Sequence, residues 1–90
     1  MKRILQGNWT YRNGQPAHDE VCDEIDRRIA QDLEEVCRDD SGWLTLFRDR
    51  RDGTLWERSY PQSQLHGGGP PQLAELAFAE AQLRYGDKVR

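Results

Sequence analysis

Two β-prone runs, 43–48 and 54–60, flank the segment Asp49-Arg50-Arg51-Asp52-Gly53, and this hairpin signal constrains the fold more than any other stretch of the chain. A loop of three to five residues with Gly at its left-handed position joins antiparallel strands without opposing their twist. Alternation places Trp43, Thr45 and Phe47 on one face, and Leu44 and Leu46 on the other. In the partner run Trp56, Arg58 and Tyr60 share a face opposite to Leu55 and Glu57. Apolar residues thus lie on both faces, and the pattern leaves open which face meets the rest of the core. Tyr60-Pro61 then turns the chain into a polar loop ending in His66-Gly67-Gly68-Gly69-Pro70-Pro71.

Upstream, Val21, Cys22, Ile25, Ile29, Leu33, Val36 and Cys37 follow a 3.6-residue period and predict a helix over about 19–39. Asp19 suits its N-cap, and acids in the first turn suit its positive end. Gly42 is the expected terminator. A strand over 8–12 is ended by the turn pair Asn13-Gly14. Downstream, Pro70-Pro71 suits the start of a second helix reaching about Tyr85. Its stripe is Leu73, Leu76, Ala77, Ala79 and Leu83, with Glu80 projecting into it and Phe78 and Tyr85 on the far side. The order strand, helix, strand, strand, helix predicts an α+β fold: a small, mainly antiparallel three-stranded sheet with two helices packed on one face. Ninety residues suit a single domain over 1–90 with a lean core.

Charge is distributed unevenly. The net value is only −3, yet segment 19–40 holds ten acids against three bases. Projected on a helix, Glu20, Asp23, Arg27, Gln31, Glu34 and Arg38 fall opposite the apolar arc, flanked by Glu24, Arg28 and Glu35. Such a face is either simply solvated or a docking face for a cationic partner, because acidic surface repels nucleic acid and attracts basic proteins. Asp32 points into the apolar arc, so it is expected to bond an indole N–H or an arginine such as Arg48 or Arg58.

Catalytic and cofactor readings find little support. His66-Gly67-Gly68-Gly69 is similar to the oxyanion loop of some lipases, but no G-x-S-x-G elbow accompanies it. Neither Lys nor Ser/Thr follows the glycines as a phosphate loop requires. His18 and His66 are far apart, and Cys22 and Cys37 lack C-x-x-C spacing, so no metal or other cofactor is expected. Placed on one helix, the two thiols would sit roughly 22 Å apart, too far for a disulfide, and free thiols suit a reducing compartment. No signal peptide or apolar run of membrane-spanning length is visible, so the expected location is cytoplasmic and no membrane partner is implied. Arg48, Arg50, Arg51 and Arg58 with Trp43, Trp56 and Tyr60 suggest the alternative of a small nucleic-acid-binding regulator, but Asp49, Asp52 and Glu57 interrupt that patch.

Several blocks in order resemble the immunity protein 27 family, small bacterial partners of polymorphic toxins. They are Gly7-Asn8-Trp9, Asp19-Glu20-Val21-Cys22, Arg28-Ile29, Ser41-Gly42-Trp43, Arg48-Asp49 with Asp52-Gly53, Trp56-Glu57, Tyr60-Pro61, and residues 66–71. The resemblance implies a non-enzymatic cytoplasmic antitoxin that binds and blocks its cognate toxin C-terminal domain. It transfers no contact residues. From the chain's own chemistry, a basic nuclease toxin would be steered by Glu20, Asp23, Glu24, Glu34 and Glu35. Trp43, Trp56, Arg58 and Tyr60 on the sheet, with His66, are the further candidate contacts, since buried aromatic and Arg anchors dominate tight interfaces.

Overall fold

The computed structural model describes residues 2–61 and 69–89, apart from the side chains of Arg12 and Pro16. Its elements are β1 (Ile4–Gln6), β2 (Trp9–Arg12), β3 (Gln15–His18), α1 (Glu20–Gln31), β4 (Leu33–Arg38), β5 (Thr45–Asp49), β6 (Leu55–Ser59), β7 (Gln72–Leu76) and α2 (Phe78–Tyr85). A single 3₁₀ turn, Gly86–Lys88, follows α2. Five strands form one antiparallel sheet in the order β1-β7-β6-β5-β4, while β2 and β3 form a separate ribbon. The α+β class holds, but the expected three-stranded sheet becomes five strands plus two.

The central hairpin forms as its sequence implies. Phe47 faces Trp56 and Thr45 faces Arg58, and the loop closes with Gly53 at φ +76°. Alternate residues then enter two separate cores. Phe47, Trp56, Leu33 and Leu73 pack with Ile25 of α1, whereas Leu46, Leu55 and Leu76 pack with Ala81 and Tyr85 of α2. The helices therefore cover opposite faces, not one, and this is why both faces of the hairpin are apolar.

The first helix stops at Gln31. Asp32 caps it, donating its N–H to the Arg28 carbonyl at 2.8 Å, and its own carbonyl accepts from the Arg50 N–H at 3.1 Å. Residues 33–38 are an edge strand instead, bulged between Glu35 and Cys37 so that Val36 and Cys37 both pack against the α2 core. Leu33, Val36 and Cys37 happen to continue the helical period, and a short apolar run does not distinguish strand from helix. Cys37 thus lies on a strand, and the helical estimate of its distance from Cys22 does not apply; both cysteines are free thiols. Gly42, at φ +79°, serves the β4–β5 turn and terminates no helix.

The second helix is shorter than expected as well. Gln72–Leu76 is an inner strand between β1 and β6, although Gln, Leu, Ala and Glu are good helix formers. Pro70 and Pro71 are buried and lead into that strand. In α2 the buried residues are Ala81 and Tyr85, while Leu83 is 87% exposed and Phe78 is 49% exposed, which reverses the expected roles of Leu83 and Tyr85. The expected strand over 8–12 forms as β2 but pairs only with β3, through a left-handed Asn13-Gly14 turn.

One contact between segments permits no side chain. Gly7 is buried, its N–H donates to the Pro71 carbonyl at 2.9 Å, and an added Cβ would lie 2.5 Å from Cys22 Sγ and 2.8 Å from Pro71 O. A backbone oxygen cannot swing aside. Gly7→Ala is expected to cost about 1–3 kcal/mol, read as a lower urea midpoint with unchanged slope; an unaltered midpoint would mean that β1 shifts freely.

Candidate partner-binding surfaces

The outer face of α1 is the first candidate. Asp19 caps the helix by accepting from the Cys22 N–H at 2.9 Å. Burial opposes its charge, but the bonds from Cys22, Asn8 and Val21 hold its carboxyl below the usual range. Glu20, Asp23 and Asp26 are exposed and have no ion-pair partner among the described residues. Glu24 pairs with Arg27, and that bond lowers its pKa. Asp26 was not among the expected contacts: one position beyond the buried Ile25, it falls at the rim of the apolar arc. Glu34 and Glu35 are exposed on β4 and point to opposite sides of the sheet, Glu34 opposite Arg48 and Glu35 opposite Phe47. The structure therefore brings Glu20, Asp23 and Glu24 together on one helix, leaves Glu35 on the same side of the sheet, and separates Glu34 from them.

Beneath α1, charge is used structurally. Arg28 pairs with Asp49 at 3.2 Å, Asp49 with Arg51 at 3.5 Å, and Arg51 with Asp32 at 3.5 Å; Asp32 also meets Arg27 at 3.5 Å. Asp32 thus bonds Arg27 and Arg51, while the Trp56 indole N–H donates to Thr54 and Arg58 to Thr45. Trp56 is fully buried between the guanidinium groups of Arg28 and Arg3, whose central carbons lie 4.5 and 4.8 Å from the ring centre. Its indole N–H donates to Thr54 Oγ1 at 3.0 Å. As a toxin contact Trp56 is therefore corrected: it belongs to the core. A wholly buried side chain of this size is more valuable to the small fold than to an interface.

At the far end of the same sheet face the surface is open and aromatic. Trp43 is 54% exposed and meets Tyr60 edge-on at 5.7 Å between ring centres. Arg58 lies over Tyr60 and Phe47, at 5.9 and 5.6 Å from their ring centres. The sequence singles out Trp43, Arg58 and Tyr60, and the structure places the three side by side. His66, with the first two of the three glycines, lies outside the described residues.

Open hollows of about 410 Å³, beside Tyr11, Asp19 and Val21, and of about 320 Å³, beside Asp39, Arg84 and Lys88, lie among the described residues. Burial pushes the thiol pKa of both cysteines up, so neither carries thiolate character. Among the described residues no three His, Cys, Asp or Glu side chains converge on a metal-sized site, and no helix is long and apolar enough to cross a membrane.

The described surface thus carries an acidic helix face on α1 and, at one end of the sheet, an exposed aromatic pair beside an arginine. The family model for immunity protein 27 matches residues 11–77, a span from β2 to just beyond β7 that includes both surfaces. The chain belongs to the immunity protein 27 family. No curated protein and no solved structure matches it.

Proposed function

We propose that residues 1–90 act as one unit that binds the C-terminal domain of a cognate bacterial polymorphic toxin and neutralises it by covering its surface, without catalysis or a cofactor. Family membership carries this reading, and the unpaired acids on α1 support it. A nuclease toxin is basic because it must hold phosphates. Glu20, Asp23 and Asp26 would steer such a partner and select against neutral ones. The two free thiols suit the reducing cytoplasm as the site of action.

Co-expression with the toxin domain encoded beside this chain tests the reading. The expected result is rescue of growth and co-purification of the two proteins; toxicity without complex formation would refute it. The acidic face has its own test in association kinetics. The triple variant Glu20→Lys, Asp23→Lys, Asp26→Lys is expected to associate about tenfold more slowly at low salt, with a flatter salt dependence. Rates equal to wild type would exclude steering by α1.

A further inference from the structure

Among the described residues Arg58 has no counterion. Its Nη2 reaches only the Thr45 hydroxyl, at 3.4 Å, and its buried Nε has no hydrogen-bond partner. The chain has sixteen acids, yet among the described residues none pairs with Arg58. Arg38 and Arg58 are both aligned with Thr45, from the two neighbouring strands, and Arg38 is already paired with Glu35. A half-buried guanidinium with no carboxylate partner is under-compensated in the isolated fold, because burial weakens its hydration and only two ring faces and one 3.4 Å bond offset the loss.

Beside it stands an indole that is exposed and held in place. Asp39 Oδ1 accepts from the Gly42 and Leu44 N–H groups at 3.0 and 3.2 Å, and Ser41 Oγ accepts from the Trp43 N–H at 3.1 Å. The Asp39 N–H and the Leu44 carbonyl close the same turn at 3.0 Å. This turn fixes the backbone on both sides of Trp43, and Tyr60 fixes its ring from the side. Little conformational freedom would be lost on covering the indole, and such pre-organisation favours tight binding.

We propose that Trp43, Tyr60 and Arg58 form the anchor of the toxin interface, taking an Asp or Glu carboxylate of the toxin onto Arg58 while an apolar part of the toxin covers Trp43. The proposal rests on the toxin-binding reading and specifies its central contact. Charge complementarity chooses the occupant: the carboxylate supplies the counterion that this chain withholds, and Trp, Tyr and Arg are the residue types that dominate interface energetics. The acidic helix and this anchor then divide the work, the first acting on approach and the second on residence time.

The test compares wild type, Trp43→Ala, Arg58→Met and Arg58→Lys in titrations with the toxin domain encoded beside this chain, with oligothymidylate as a second probe. Trp43→Ala and Arg58→Met are each expected to weaken toxin binding by about 30-fold or more, chiefly through faster dissociation. Arg58→Lys should recover only part of the loss, since an ammonium lacks the planar fork. Thermal melting separates an anchor from a structural arginine: Arg58→Met should melt at or above the wild-type temperature, because it removes an unpaired buried donor. A lowered melting temperature with unchanged affinity would overturn the proposal. So would wild-type affinity in both variants, or oligothymidylate binding that depends on Trp43 and Arg58 while toxin binding does not. If wild type itself fails to bind the toxin domain, the functional reading falls and the anchor with it.

Discussion

Asp49→Ala is expected to remove about 3–5 kcal/mol of stability, the usual effect of stripping one partner from a buried ion pair. A chain of this length has only about 5–13 kcal/mol in total, so much of the variant should be unfolded in mild denaturant. Asp49 is 2% exposed and accepts from the Arg51 N–H at 2.8 Å and from Arg28 Nη2 at 3.2 Å. Its backbone closes the hairpin through Thr54 and Gly53. Among the described residues Arg28 has no other ion pair, and its Nε lacks a hydrogen-bond partner, so deletion strands a cation against Trp56. The pH dependence follows from the same bonds. The Arg51 N–H foremost holds the Asp49 carboxyl below its ordinary value, against the effect of burial, with the charges of Arg51 and Arg28 adding to it. A carboxyl lowered in the folded state contributes fully above its unfolded pKa of about 3.9 and loses that contribution as pH falls through the folded value. Urea midpoints of wild type should therefore drop on acidification below about pH 4, and Asp49→Asn should lack that part of the drop. An Asp49→Ala midpoint close to wild type would show that the hairpin and α1 are held together by packing alone.

Glu57→Ala is expected to release α2. Glu57 is 5% exposed on the sheet face away from α1, where it pairs with Arg84 and accepts from the Tyr85 hydroxyl at 2.8 Å. Burial first, and then the Glu57 carboxylate, push the Tyr85 pKa far above its ordinary value, so the phenol stays protonated and remains the donor. Eight residues of helix have no stability of their own in water and depend on this face for order. Removing the carboxylate leaves the buried Tyr85 hydroxyl without its acceptor and returns the half-exposed Arg84 to water, at a cost of about 1–3 kcal/mol. The loss should be local: amide exchange should accelerate across 78–89 while α1 keeps its protection. Glu57→Gln preserves an acceptor for Tyr85 and should cost about half as much. Full protection of α2 in Glu57→Ala would place its tether in Leu46, Leu55 and Leu76 instead.

The parts of this protein that could be read in advance are those whose chemistry is complete within a few residues. The 49–53 loop, the left-handed Asn13-Gly14 pair, the Asp19 cap and the outward face of α1 as far as Gln31 all behave as the local pattern implies. In each, the residue satisfies a nearby backbone group or leaves a polar side chain in water, and no distant partner is needed. The block Trp56-Glu57 is similarly determinate, since both side chains are buried with fixed polar partners, the indole on Thr54 and the carboxylate on Tyr85 and Arg84.

Other features needed the tertiary structure. Residues 33–38 and 72–76 have the composition and spacing of helix, yet both are strands, because each completes a backbone ladder beside the hairpin and buries Leu33 or Leu73 under α1. Helix and strand differ little in intrinsic preference over five or six residues, and ladder pairing outweighs that difference. The same pairing sends Glu34 and Glu35 to opposite sides of the sheet, buries Trp56 between two arginines, and leaves Arg58 beside Trp43 and Tyr60 with no acid partner among the described residues. Sequence neighbours specify turns and caps through short-range hydrogen bonds. Which charges meet, and which find no partner among the described residues, depends on register between strands far apart in the chain.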